Sequence, residues 1–427
     1  MEKKKIASED LKLGMYVEEL DRPWVDAPFL FQGFEITSSG LLAKVRKVCQ
    51  HVYVMPDRDR TATYAKLNSG RVSRVEIDAE RAVVDGQRGK GIGRVLIQPS
   101  TGNCRQHDKT TVEEELEQAR EIEQNTRNTV YTILDDVRLG RSISTSEAKK
   151  MVANMVESII RNPDAMVVLT QLKNVDEYTA LHSLRVCILA LTFGRQLDLN
   201  SEELNLLGIG ALLHDVGKMK VPLDVLNKPG KLTDAEFEIM KSHVTEGAKI
   251  VEQAHGIAPA SLEVVRTHHE RYAGGGYAGG LAGDDIHPFG LIVAIVDCYD
   301  AITSDRVYQK GVSPQDALSR MYAWRTSDFH PTLVEQFIQC MGIYPIGSVV
   351  ELSDGSIGVV VTVNRERRLL PKVVQVRDRH LKPVAPPRII DLHYEYERLK
   401  KGHVSIRKVL PPGTHGIWPV DHLPLRG

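Results

Sequence analysis

His214 and Asp215 stand side by side at the end of the apolar run Ala211-Leu-Leu213, with Gly217 and Lys218 just beyond. An imidazole next to a carboxylate can be a hydrogen-bonded core pair or part of a metal site. A single such pair favours the first reading. The surrounding segment favours the second, because it also holds His182, His243, His268, His269 and Asp297. Each histidine alone is most simply a core or surface imidazole. Together they exceed the roughly three or four protein ligands of one catalytic metal, and two ions fit better. Imidazole-rich coordination mixed with carboxylate suits iron, manganese, nickel, cobalt or zinc rather than magnesium or calcium. Two such ions can activate water and neutralise a phosphodiester in line with it, which is hydrolase chemistry.

Positioning these groups requires several helices. His214 and Asp215 close a helix that begins near Glu202, and Gly217 is placed to let the chain leave it. Neighbours on a helix point about 100° apart, so the pair needs partners from elsewhere. Helical patterns over 177–197 and 233–254 carry His182 and His243, and another ends at His268 and His269. Asp297 and Asp300 lie one turn apart on an apolar helix, so both are expected to face one site.

At 427 residues the chain exceeds one ordinary core, and roughly two or three domains are expected. Lysine and arginine total 55 against 56 acidic residues, so no global field recruits nucleic acid or an anionic membrane. The hydrophobic fraction of 42% is globular, and no apolar run approaches the roughly 18 residues of a membrane span. Met1-Glu-Lys-Lys-Lys-Ile6 lacks the apolar segment of a signal peptide, so a cytoplasmic location is expected. The five cysteines form no C-x-x-C pair and read as reduced thiols.

Three compositional zones follow. Residues 1–105 mix short strands with a helix over 41–48 and read as a small α+β module. Its run Gly86-Gln-Arg-Gly-Lys-Gly-Ile-Gly93 lacks a P-loop ending and reads as a connector. From Thr110 the chain becomes all-α: a helical connector over 106–165, then a helical domain over 166–345. After Pro345 the pattern turns β-rich, with an Asp354-Gly355 hairpin signal, and a small β extension is expected over 346–427.

These residues together resemble the HD-GYP branch of the HD phosphohydrolases. The resemblance rests on His214-Asp215 with Gly217 and Lys218, His243 with Gly247, His268-His-Glu270 leading to Gly276-Tyr277, and Asp297-x-x-Asp300 through Arg306. It covers about residues 170 to 345. Leu13-Gly-Met-Tyr-Val17 and Arg22-Pro-Trp24 also look like an uncharacterised companion domain of that family.

The resemblance implies a multidomain protein whose central HD-type bundle hydrolyses cyclic di-GMP to pGpG, GMP or both through a metal-bridging hydroxide. It implies a binuclear site, iron or manganese first, held by His182, His214, Asp215, His243, His268, His269 and Asp297. Asp215 would bridge the ions and Lys218 would support the developing charge. Tyr277, Asp300, Arg306 and Lys310 would contact substrate, and a signalling-protein partner would meet the loop around Tyr277.

Two departures stand in that loop: Ala273 replaces the family's aspartate and Ala278 its proline, so a more mobile loop is expected. The change leaves room for another cyclic dinucleotide as substrate, or for a non-catalytic cyclic di-GMP receptor or adaptor. Tyr178, with Glu177 beside it, stands where some members place a third-metal glutamate, so two ions are expected.

Overall fold

The computed structural model describes residues 3–22, 24, 27–29, 32–36, 38–56, 107–171, 178–304, 311–399 and 403–423. The Gly86–Gly93 run, Cys104, Glu177, Arg306 and Lys310 lie outside the described residues, as does the Tyr178 side chain. The chain divides into two compact units, Met1–Leu96 and Ile97–Gly427.

The first unit holds β1 (Lys4–Ala7), β2 (Tyr16–Leu20), β3 (Phe34–Glu35), α1 (Ser39–Val48) and β4 (His51–Val54). The strands form an antiparallel sheet in the order β1-β4-β2-β3. Alternation along β2 and β4 buries Val17, Leu20, Val52 and Val54 against Val45 of α1, giving the α+β module its own core. Ser38 caps α1, its hydroxyl accepting the Leu41 N–H.

The second unit begins with α2 (Val112–Arg138), α3 (Thr145–Arg161), α4 (Pro163–Leu169), α5 (Tyr178–Gln196) and α6 (Ser201–Leu213). A short 3-10 segment, Val216–Lys220, leads into α7 (Leu223–Leu226), α8 (Asp234–Gln253) and α9 (Pro259–Thr267). Then come α10 (Pro288–Thr303), α11 (Pro314–Ala323) and α12 (Pro331–Met341). Thr111, Asn200 and Thr233 start α2, α6 and α8 with reciprocal capping boxes to Glu114, Glu203 and Glu236. From Leu207 to Leu213, α6 is buried on every side, as its unbroken apolar sequence requires. It packs on α5, α9 and α3, while α10 packs on α5 and α9. The helix ends that carry the histidines thereby converge.

The chain finishes with β5 (Val349–Leu352), β6 (Ile357–Thr362), β7 (Lys372–Arg377), β8 (Pro383–Asp391), α13 (Leu392–Leu399) and β9 (Ile406–Leu410). The sheet is antiparallel in the order β8-β7-β6-β5-β9. The Asp354-Gly355 turn is present as expected: Val350 pairs with Gly358, and the Asp354 carboxylate accepts the Ser356 N–H. Arg365, beyond β6, reaches Asp164 of α4 at 2.5 Å, and the Val363 N–H donates to the other Asp164 oxygen at 3.2 Å. Among the described residues, no helix is long and apolar enough to cross a membrane. Cys49 and Cys187 are free thiols.

Candidate metal centre

His182 of α5, His214 and Asp215 after α6, His243 of α8, His268 and His269 after α9, and Asp297 of α10 meet in one place. Their ligand atoms fall into two groups, one of His182, His214 and Asp215, the other of Asp215, His243, His268 and His269. Within each group these atoms lie within 4.8 Å of one another. Asp215 belongs to both. Its Oδ2 lies 3.3 Å from His214 Nε2 and 3.5 Å from His182 Nε2. Its Oδ1 lies 3.4 Å from His243 Nε2 and 3.9 Å from His268 Nε2. Asp297 Oδ1 approaches His182 Nε2 at 3.0 Å and His214 Nε2 at 4.0 Å.

The other ring nitrogens explain this convergence. Nδ1 of His214 meets the Ala211 carbonyl at 2.7 Å, and Nδ1 of His243 meets the Met240 carbonyl at 2.7 Å. His268 Nδ1 meets Val265 O at 3.0 Å. A carbonyl can only accept, so each Nδ1 carries the proton and each Nε2 presents a lone pair inward. Those lone pairs find no donor: His214, His243 and His268 Nε2 and Asp215 Oδ1 are buried without a hydrogen-bond partner. Buried polar atoms are ordinarily satisfied, so orphans aimed at one point fit a cation with N and O ligands.

Electrostatics agree. Burial lowers His243, takes His268 well below the ordinary imidazole range and brings His269 down to about 4, so all three are neutral imidazoles near pH 7. Burial would raise Asp215, but the Lys218 ammonium leads the interactions that outweigh it and hold its carboxyl well below the usual value. Asp297 is likewise held low against its burial, chiefly by His182. Burial would lower His182, but hydrogen bonds to Asp297 and Asp300 raise it to about 10.

Asp300 departs from expectation. It shares a helix face with Asp297 but lies behind the His182 ring, its Oδ2 2.8 Å from Nδ1. Arg185 holds it from the other side, Nε to Oδ1 at 2.7 Å and an Nη to Oδ2 at 2.9 Å. With 2% of its surface exposed, Asp300 is placed to orient the His182 ring. Arg185, one turn beyond His182 in an apolar helix, escaped the sequence reading. A cation fixed within such a run was its available signal.

Gly217 also acts differently from the helix exit expected of it. A Cβ there would fall 1.9 Å from the His243 carbonyl and 2.4 Å from Gly247 N. The absent side chain lets the segment after Asp215 touch α8, which brings Asp215 to His243. Lys218, on the same segment, puts Nζ 2.5 Å from Asp215 Oδ2.

The loop after His269, which carries Ala273 and Ala278, is held by several hydrogen bonds. Glu270 is 3% exposed, and its Oε1 accepts the N–H groups of Gly279 at 2.6 Å and Gly280 at 2.8 Å. Ala273 N–H donates to Ser327 O, and Tyr277 N–H to His269 O. Gly276 allows the return, since a Cβ would meet Glu270 Cα at 2.5 Å. Glu270, quoted in the motif but given no role, thereby holds the turn at Gly279 and Gly280. Tyr277 is thereby laid on His269, with ring centroids 4.7 Å apart.

A site of this composition on a helical bundle defines a metal-type phosphohydrolase, and comparisons with known proteins place it further. Residues 151–333 match the HD domain model, and residues 3–148 match a domain of unknown function, DUF3391. The chain is 34% identical over 390 residues to the cyclic di-GMP phosphodiesterase PA4108 of Pseudomonas aeruginosa, covering 91% of this chain and 89% of that one. It is 33% identical over 162 residues to the 3'3'-cGAMP-specific phosphodiesterase 2 of Vibrio cholerae, covering 38% of this chain and 31% of the relative. The solved structure of Bd1817, a HDG"Y"P protein from Bdellovibrio bacteriovorus, aligns with a TM-score of 0.45 at 18% identity, covering 79% of this chain and 98% of that one. The chain belongs to the HD-GYP family of HD-domain phosphohydrolases.

Proposed function

We propose that this protein is a cytoplasmic phosphodiesterase that hydrolyses cyclic di-GMP to pGpG, GMP or both at a two-metal centre. The carrying observation is the division of Asp215, with Oδ2 toward His182 and His214 and Oδ1 toward His243 and His268. A carboxylate shared in this way is suited to bridge two ions, with His182, His214 and Asp297 on one side and His243, His268 and His269 on the other. Two divalent transition-metal ions, iron or manganese first, would supply charge neutralisation and a lowered water pKa. The protein's own share is orientation. Backbone carbonyls hold three imidazoles in one tautomer, Asp300 with Arg185 holds His182, and Lys218 is placed to support negative charge developing on the phosphate.

Residues 1–105 serve as a regulatory module, 106–165 as a connector packed on the catalytic bundle of 166–345, and 346–427 as its β extension. Arg306 and Lys310 retain their assignment as phosphate contacts, and the Tyr277 loop that of a partner surface.

A second reading, turnover of another cyclic dinucleotide, is favoured by the resemblance to a cGAMP-specific relative. The deciding experiment is metal analysis of anaerobically purified protein, paired with product identification over a cyclic dinucleotide panel. About two ions per chain and preferential conversion of cyclic di-GMP are expected. Three tightly held ions, or binding without turnover across iron and manganese loading, would overturn the assignment.

A further inference from the structure

An aromatic path leads out of the metal centre. Tyr277 lies against His269, and the Phe237 ring meets Tyr277 edge-on at 6.1 Å and 84°. Phe237 is on α8, upstream of His243, and is 45% exposed. An isolated exposed phenylalanine needs no explanation. This one continues a run of rings that begins at His269, and nearly half of its surface stays open to a further flat group. Lys241, one turn along α8, places Nζ 5.4 Å from the Phe237 centroid and 5.9 Å from that of Tyr277. Its salt bridge to the exposed Glu238 is a solvent-screened rim contact.

We propose that Phe237, backed by Tyr277, is the stacking platform for one purine base of the nucleotide, and that Lys241 selects guanine there. This rests on the cyclic dinucleotide reading above. With a phosphate at the metal centre, a base extends away from it along the surface, and an aromatic face is sequence-tolerant stacking area. Discrimination requires a polar group. Guanine presents two acceptors, O6 and N7, on the edge where adenine presents one acceptor and an amino donor, so an ammonium group favours guanine. Phe237 and Lys241 thus divide the task, affinity from one and base choice from the other.

The test uses the full-length manganese-loaded protein, with rates measured against concentration for cyclic di-GMP and for cyclic di-AMP. Phe237→Ala and Phe237→Leu should each raise KM for cyclic di-GMP about tenfold, with a smaller change in kcat, and Phe237→Trp should restore it. Lys241→Met should lower the preference for cyclic di-GMP over cyclic di-AMP about tenfold. Metal content, measured alongside, should match wild type in every variant. A KM for Phe237→Ala within twofold of an active wild type overturns the platform and leaves the substrate reading standing. Wild-type KM in Phe237→Leu also overturns it, since apolar volume alone would then suffice. An unchanged preference in Lys241→Met overturns the role in base choice. Failure of the wild type to bind or cleave either dinucleotide overturns the substrate reading and the platform with it.

Discussion

Asp164 and Asp215 are both 1% exposed carboxylates in the same unit, yet they are furnished in opposite ways. Asp164 has a donor on each oxygen, Arg365 on one and the Val363 amide on the other, and joins the β extension to α4. Asp215 has Lys218 on Oδ2, while Oδ1 faces imidazole nitrogens that are themselves unsatisfied. A satisfied buried charge holds elements together. One left with converging lone pairs is prepared for a cation from outside.

The contrast can be broken by mutation. Asp215→Ala should remove bound metal and lower turnover by about a thousandfold or more, because both ion positions depend on it. Elemental analysis and initial rates report the two losses together. Lys218→Ala should keep the metal and lower kcat about a hundredfold, the size of losing one charge-stabilising donor. Loss of metal in this variant would make Lys218 a structural partner of Asp215. Asp164→Ala should do the reverse, costing about 3 kcal/mol in urea unfolding because Arg365 stays buried without its partner, at normal metal content. Metal loss there would erase the distinction between the two sites.

Acid should sharpen it. Burial brings His269 to about 4, whereas an unfolded histidine titrates near 6.5, so between these values the unfolded chain binds more protons. Metal-free protein should therefore lose stability as pH falls from about 6.5 toward 4, with His243 and His268 adding to the trend. His182 runs the other way. Raised to about 10, it contributes stability that is complete below about 6.5 and is lost as pH rises through 10. Chelator-treated protein followed by urea midpoint against pH should be most stable between these limits, and a flat profile from pH 7 to 4.5 would contradict the assignment. The smallest effect is expected of Asp300→Asn, which should weaken metal affinity about tenfold through His182 while leaving Asp215 intact. Unaltered affinity in a competitive chelator titration would remove Asp300 from the site's support.

Much of this was legible before any coordinates. The Asp354-Gly355 turn is local, and local geometry is written in neighbouring residues. The candidate donors were legible too, because histidine and aspartate supply imidazole and carboxylate groups in unusual density along one segment. Asp300 was misplaced because helical spacing gives a face and not a depth: Asp297 and Asp300 share that face, with the His182 ring between Asp300 and the cluster. The tie from Glu270 to Gly279 and Gly280 was not legible because it spans a turn that composition does not reveal.

By itself, then, the sequence determined which side chains could bind metal, which helices would carry them and to which family the pattern belongs. Only the tertiary structure decided how they share the work. The split of Asp215 between two imidazole groups depends on α5, α6, α8 and α9 meeting at particular angles. Those angles come from buried packing and from the close approach of Gly217 to α8. Contacts between residues far apart in the chain are set by the volume that many side chains fill together, so no one stretch of sequence contains them.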